Sequence, residues 1–410
     1  MYDLIIKNGK IIDGTGKEAY FADVAISDGK IVKIGDDISD GKKIIDAAGY
    51  AVTPGFIDSH SHSDRSLLTM PEQVEKLEQG ITTSISGQCG SSIAPLGKDY
   101  DTKSDEKIGC YGRKADVLKT FGSLANAVKD ASLGSNMALL VGHGSIRNAV
   151  MGLENRAPSA DELEMMKNHL RDALSNGAIG ISFGLIYTPG CYAATDELIE
   201  LAKVAAEYDA LICAHIRNEG DFLVEAVEEF LTVIKESGAR AVFSHHKAMF
   251  KQNWGKVNKT LELIEEANKN GSDIYCDTYP YTASGTTLSA RFIPKEYRTG
   301  GVEGMAKVLS DSKLRSGIKE SNVKQFGENF DWVIVSECDA YPQYEGLTVT
   351  EIAKLHGKDG YETVYDMIAH SKTECNAYFF TACEDDVKTV LRYPRTMICT
   401  DSDVAGSKKN

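Results

Sequence analysis

The sequence predicts an α/β chain, a (β/α)8 TIM-like barrel preceded by a small β domain, and three observations carry that prediction. After Pro54, apolar strands and amphipathic helices alternate with a repeat of about 30 residues, the length of one βα unit. Strand after strand ends in a reactive side chain, as happens at the carboxyl face of a barrel. Residues 1–52 follow another rhythm, short apolar runs broken by turn dipeptides.

In that first segment, Asp3 to Lys7, Gly9 to Asp13, Asp23 to Ser27 and Lys30 to Ile34 read as strands, with Asn8-Gly9, Asp13-Gly14 and Asp28-Gly29 as hairpin turns. Residues 53–410 then form the barrel. Ser159 and Glu162 make a capping box for a helix whose stripe Leu163, Met166, Leu170 and Leu174 stops at Gly177. The strand Ala178 to Leu185 follows. Thr195 caps the next helix, which leads into the strand ending at His215. A third helix, from about Phe222 to Glu236, precedes the strand ending at His245, and a fourth precedes Ile274 to Tyr279. An open doubly wound sheet shares this rhythm. The reactive strand ends, at His60 and His62, Cys89, His143, His215, His245-His246 and Asp401, favour the closed barrel. Of nine histidines, only His169, His356 and His370 lie elsewhere. Residues 282–345 read as an inserted, lid-like segment.

Composition narrows the function. A net charge of −15 argues against nucleic acid or anionic membranes as partners. Nine cysteines without a Cys-x-x-Cys pair look like free thiols of a reducing cytoplasm. No signal peptide or membrane-spanning run is seen, so a soluble cytoplasmic protein is expected.

The segment Pro54-Gly55-Phe56-Ile57-Asp58-Ser59-His60-Ser61-His62 places two imidazoles on one face of a strand, a geometry for one metal ion, although a lone His-x-His is as often an ordinary pair. Cys89 sits at a glycine-flanked strand end, which favours a ligand over a small buried hydrophobe. Cys, His and carboxylate together suit zinc. His246 faces away from His245, while Lys247 shares its face and is either an anion-binding group or a solvated lysine.

Several motifs in order resemble the amidohydrolase superfamily, and within it the D-aminoacylase (N-acyl-D-amino-acid deacylase) branch: Gly87-Gln88-Cys89-Gly90, Gly142-His143-Gly144-Ser145-Ile146-Arg147, Gly184-Leu185-Ile186-Tyr187, His215-Ile216-Arg217-Asn218-Glu219, Ser244-His245-His246-Lys247 and Tyr279-Pro280-Tyr281. The fourth strand has no lysine to bridge two metals, and Cys89 is the natural replacement. The resemblance implies a barrel with a small β-sandwich built from both chain ends. It also implies a tight zinc at Cys89, His215 and His245, a second, weaker metal position at His60 and His62, and Asp401 as general base. Tyr187, Lys247, Tyr279 and Arg291 match regions used around the substrate, and His143 is placed with them. The implied reaction is hydrolysis of an N-acyl-D-amino acid to a carboxylate and a free D-amino acid, a small-molecule chemistry that leaves homo-oligomerisation open. A dipeptidase or cyclic-amide hydrolase, and a scaffold that has lost the reaction, stay as alternatives.

Two features depart from the branch. Ser284-Gly285 reverses an expected order of small residues, and only residues 402–410 follow Asp401, too few for a last helix and C-terminal strands. The sequence therefore reads as truncated, with Ile5, Ile11, Val24, Ile26, Ile31 and Ile45 needing a covering layer and the chain expected to be prone to association.

Overall fold

Asn8-Gly9 does not turn the chain. In the computed structural model, which describes residues 1–97, 118–129 and 131–404, β1 (Tyr2–Ile11) runs straight through this dipeptide. Asn8 takes a left-handed φ of 61° and donates its N–H to Asp23 Oδ1 at 2.9 Å. Register against β2 (Tyr20–Ser27) shifts between Ile6 and Gly9, so the expected hairpin is a β-bulge. Asp28-Gly29 does turn, with φ of 50° and 70°, the positive pair that a two-residue hairpin loop demands, and leads into β3 (Lys30–Gly35). β4 (Gly41–Asp46) and β5 (Ala51–Val52) pair parallel with β1.

This unit, Met1–Phe56 with Gly80–Thr82, ends a few residues past the expected boundary at 52. It is one sheet, β3-β2-β1-β4 with β5 beside β1, and no second sandwich layer lies among its described residues. Ile5, Ile11 and Val24 are buried, whereas Ile31 (64% exposed), Ile44 (56%) and Phe21 (71%) face outward.

The second unit holds the barrel. β6 (Phe56–Asp58), β7 (Ile81–Ser86), β8 (Asn136–Gly142), β9 (Gly180–Gly184), β10 (Leu211–His215), β11 (Arg240–Phe243) and β12 (Ile274–Thr278) follow one another in a single sheet. Alternation sorts their side chains. Ile181, Phe183, Ile212, Ala214 and Phe243 pack with the helices Ala160–Ser175, Thr195–Glu207 and Leu223–Ser237, while Leu140, Cys213 and Val242 form a separate layer on the opposite face. His215, two residues beyond Cys213, continues that inner row. The capping box at Ser159 and Glu162 is present. Thr195, by contrast, is the first helical residue rather than a cap, and its hydroxyl is spent on Glu229 Oε1 at 2.9 Å.

After β12 comes an insertion with its own sheet, β13 (Ala283–Thr287), β14 (Val333–Glu337) and β15 (Asn376–Phe380), and its own core of Phe292, Met305, Val335, Tyr361, Tyr365 and Phe379. It runs on to Phe380, beyond the expected end at 345, because β15 is the central strand and the helices Val349–His356 and Gly360–His370 precede it. Here the all-thiol expectation fails: Cys338 and Cys375 are bonded as a disulfide. The other described cysteines are free.

β16 (Thr396–Ile398) pairs with β12. The seam to β6 closes through the Asp401 N–H to His60 O and the His62 N–H to Ser402 O, each 2.9 Å, and the Ser59 hydroxyl to Ile398 O at 3.1 Å. Eight strands thus close the barrel. No described helix is long and apolar enough to cross a membrane.

Candidate metal centre

Three of the residues that converge here occupy backbone conformations that side chains disfavour. Cys89, His245 and Asp401 have φ of 50°, 37° and 51°, each just beyond the end of a barrel strand. Such angles turn the chain sharply and throw the side chain over the barrel mouth. Around Cys89 the turn is held from several sides. Gly87 (φ 82°) and Gly90 (φ 69°) pass so close to Leu140 O and Gly184 N that a Cβ would lie 2.1 Å and 2.6 Å away. Ser182 accepts from the Gly90 N–H (3.0 Å) and donates to Gly87 O (2.5 Å), and buried Asp64 accepts from the N–H groups of Gly87 (3.2 Å) and Ile93 (2.9 Å).

The thiol reaches three histidines: His245 Nε2 at 3.3 Å, His60 Nε2 at 3.4 Å and His215 Nδ1 at 3.7 Å. Carboxylates orient the rings. Glu219 Oε1 lies 3.1 Å from His245 Nδ1, and Asp277 Oδ2 lies 3.3 Å from His60 Nδ1, so each histidine presents its Nε2 to the thiol. Asp277 also takes the His245 N–H, at 2.5 Å. Asp401 Oδ1 sits 3.4 Å from His60 Nε2 and 3.3 Å from His62 Nε2.

Donor atoms fall into two groups, Cys89 with His215 and His245, and Cys89 with His60, His62 and Asp401, each group lying within 4.8 Å. Tetrahedral zinc, with Zn–S near 2.3 Å and Zn–N near 2.05 Å, has S···N edges of about 3.6 Å. The thiol-to-imidazole separations of 3.7 Å and 3.3 Å in the first group bracket that value, so these two edges match such an ion. Electrostatics agree. Burial opposes the Cys89 thiolate, but charge on His60 and His245 and hydrogen bonds from His215 and His245 outweigh it and hold the thiol well below its ordinary range. Burial likewise opposes the Asp401 carboxylate, yet His60 and His62 bring it down to about 2, so it is ionised at neutral pH.

The remaining expected residues are placed as follows. The Tyr187 ring meets the His215 ring edge-on at 5.2 Å, its hydroxyl 2.9 Å from Thr286 Oγ1 of the insertion. Tyr279 lies beside His245 (ring centroids 6.4 Å apart), with a buried hydroxyl that has no partner among the described residues. Arg291 is packed between the rings of Phe250 (5.7 Å) and Phe379 (5.5 Å), and it makes no ion pair among the described residues. Lys247 is engaged behind His245, 2.7 Å from Glu219 Oε1 and 2.8 Å from His245 Nδ1. His143 lies in another buried network, its Nε2 2.8 Å from Glu197 Oε1, whose other oxygen pairs with Arg147. His246 turns away to Thr260. Sequence reasoning gave no role to Glu219, Asp277 and Asp64. Glu219, four residues after His215, and Asp277, at a strand end, were the available signals.

A model of the amidohydrolase family matches residues 43–367. D-aminoacylase of Alcaligenes xylosoxydans xylosoxydans is 32% identical over 98% of this chain and 74% of its own length. N-acyl-D-aspartate deacylase of the same organism is 38% identical, over 97% and 72%. Among solved structures, N-acyl-D-glutamate deacylase from Bordetella bronchiseptica, complexed with zinc and a phosphonate mimic of the reaction's tetrahedral intermediate, aligns with a TM-score of 0.80 at 33% identity, covering 98% of this chain and 76% of that one.

Proposed function

This chain belongs to the amidohydrolase family, and from that premise we propose that it is a zinc-dependent hydrolase of N-acyl-D-amino acids, releasing a carboxylate and the free D-amino acid. The observation that carries the reading is the buried set Cys89, His215 and His245 with Asp401 facing it. The D-configuration and zinc are supported by the likeness to three proteins named for those substrates or bound to that ion.

Zinc at Cys89, His215 and His245, with a second, weaker position at His60 and His62, would supply an acidified water and a polarised amide carbonyl. Asp401 takes the water's proton on Oδ1 and returns it to the amide nitrogen, because an amine leaves far more readily than its anion. Glu219 and Asp277 keep the imidazoles in register throughout. Lys247 neutralises Glu219, so its charge supports the ligand set from behind. The compartment we propose is the cytoplasm, a reading favoured by the six free thiols among the described cysteines and opposed by the Cys338–Cys375 pair.

Arg291 and Tyr279 are the groups we assign to the substrate carboxylate. A half-buried guanidinium that makes no ion pair among the described residues is costly alone and is satisfied when a carboxylate arrives. Arg291→Met should raise KM by about 10- to 100-fold, the worth of a charged hydrogen bond, with a smaller change in kcat. Unaltered KM in steady-state kinetics would remove Arg291 from the binding site.

The function itself is tested by zinc analysis of the purified protein with a panel of paired N-acyl-D- and N-acyl-L-amino acids. Turnover of D-substrates alone is the expected result. Turnover of L-dipeptides or cyclic amides instead would replace this reading.

A further inference from the structure

Lysine is among the residues least often fully buried, yet Lys76, in the short helix Val74–Leu77, is 1% exposed. Its three protons are matched by three acceptors: Asp58 Oδ2 at 2.8 Å, Thr400 Oγ1 at 2.9 Å and Ser402 Oγ at 2.9 Å. Asp58 adds its own grip on the same segment, accepting the Thr400 N–H at 2.9 Å and the Thr400 hydroxyl at 2.7 Å. The two residues held are the immediate neighbours of Asp401.

We infer that Lys76 is a positioning residue for Asp401: with Asp58 it clamps Thr400 and Ser402 so that the left-handed Asp401 between them keeps its carboxylate against His60 and His62. The inference rests on the assignment of Asp401 as general base. Three points on the molecule support it. A buried ion pair seldom adds net stability, since desolvation offsets the attraction, so its presence here calls for a geometric role. β16 has only three residues, and ladder hydrogen bonds alone give its end little rigidity. Asp58 lies two residues before His60 on β6, so one clamp sets the base relative to both histidines that face it.

The test is a double-mutant cycle on the zinc-loaded enzyme. Lys76→Met should lower kcat by about 10- to 100-fold, the scale of a misplacement near 1 Å, with KM and zinc content near parental values. In an Asp401→Asn background the same change should cost no more than about twofold, because a group that acts through Asp401 has nothing left to position. Lys76→Met combined with Asp58→Leu removes both buried charges and should regain part of the melting temperature that Lys76→Met alone loses, without recovering kcat, which separates positioning from stability. Should Lys76→Met not fold, Ser402→Ala carries the same cycle with a smaller loss. Parental kcat in Lys76→Met, or a full loss repeated on top of Asp401→Asn, would overturn the inference while leaving the base assignment standing. Parental activity in Asp401→Asn alone would overturn the base assignment and the inference with it.

Discussion

Replacing Asp401 with alanine lowers kcat by about 10²-fold or more, the usual scale for removing a general acid–base group, while zinc at Cys89, His215 and His245 stays in place. The two effects separate because Asp401 faces His60 and His62 across the mouth of the barrel and is not a member of the Cys89, His215 and His245 group. Single-turnover kinetics with metal analysis on the same sample makes the comparison. A variant that keeps parental kcat would place proton transfer elsewhere. One that loses its tight metal would make Asp401 a ligand before it is a base.

Cys89→Ala removes the tight metal. Its Sγ is the donor common to both groups, so one substitution weakens both positions, and affinity should fall by more than about 100-fold, beyond the loss seen when only an orienting partner is removed. Elemental analysis of dialysed protein should then find almost no zinc, with activity returning only in excess metal. Full occupancy in the variant would show the cysteine to be a bystander. Cys213 and Cys276, also buried, serve as controls: burial raises both thiols, and neither belongs to a group among the described residues that could hold an ion.

What could be read from the chain followed periodicity. Strand and helix rhythm located the barrel, and chemistry at strand ends singled out Cys89, His215 and His245, which the fold brings within 4.8 Å of one another. Errors arose where distant partners decide. Asn8-Gly9 carries a hairpin signal, but Asp23, far along the chain, captures the Asn8 N–H and straightens the strand into a bulge. The insertion was cut short at 345 because its central strand, β15, is the last of its three in the chain. Glu219, Asp277 and Lys76 carry no signal of a role for the same reason: each meets a side chain or segment that only the assembled barrel brings to it. Lys247 and His143 lie near the right motifs, yet their nearest acidic neighbours, Glu219 and Glu197, are set by tertiary packing.

Cys89, His245 and Asp401 sit where glycine would be more comfortable, by about 1 kcal/mol or somewhat more at each position. Folding and chemistry therefore pull in opposite directions at the mouth of this barrel. On the proposed roles of these three residues, a lineage screened for heat resistance alone would drift toward glycine or asparagine at each and give up turnover for sturdiness. Stability-guided redesign of this chain should hold them fixed and look for its gains elsewhere.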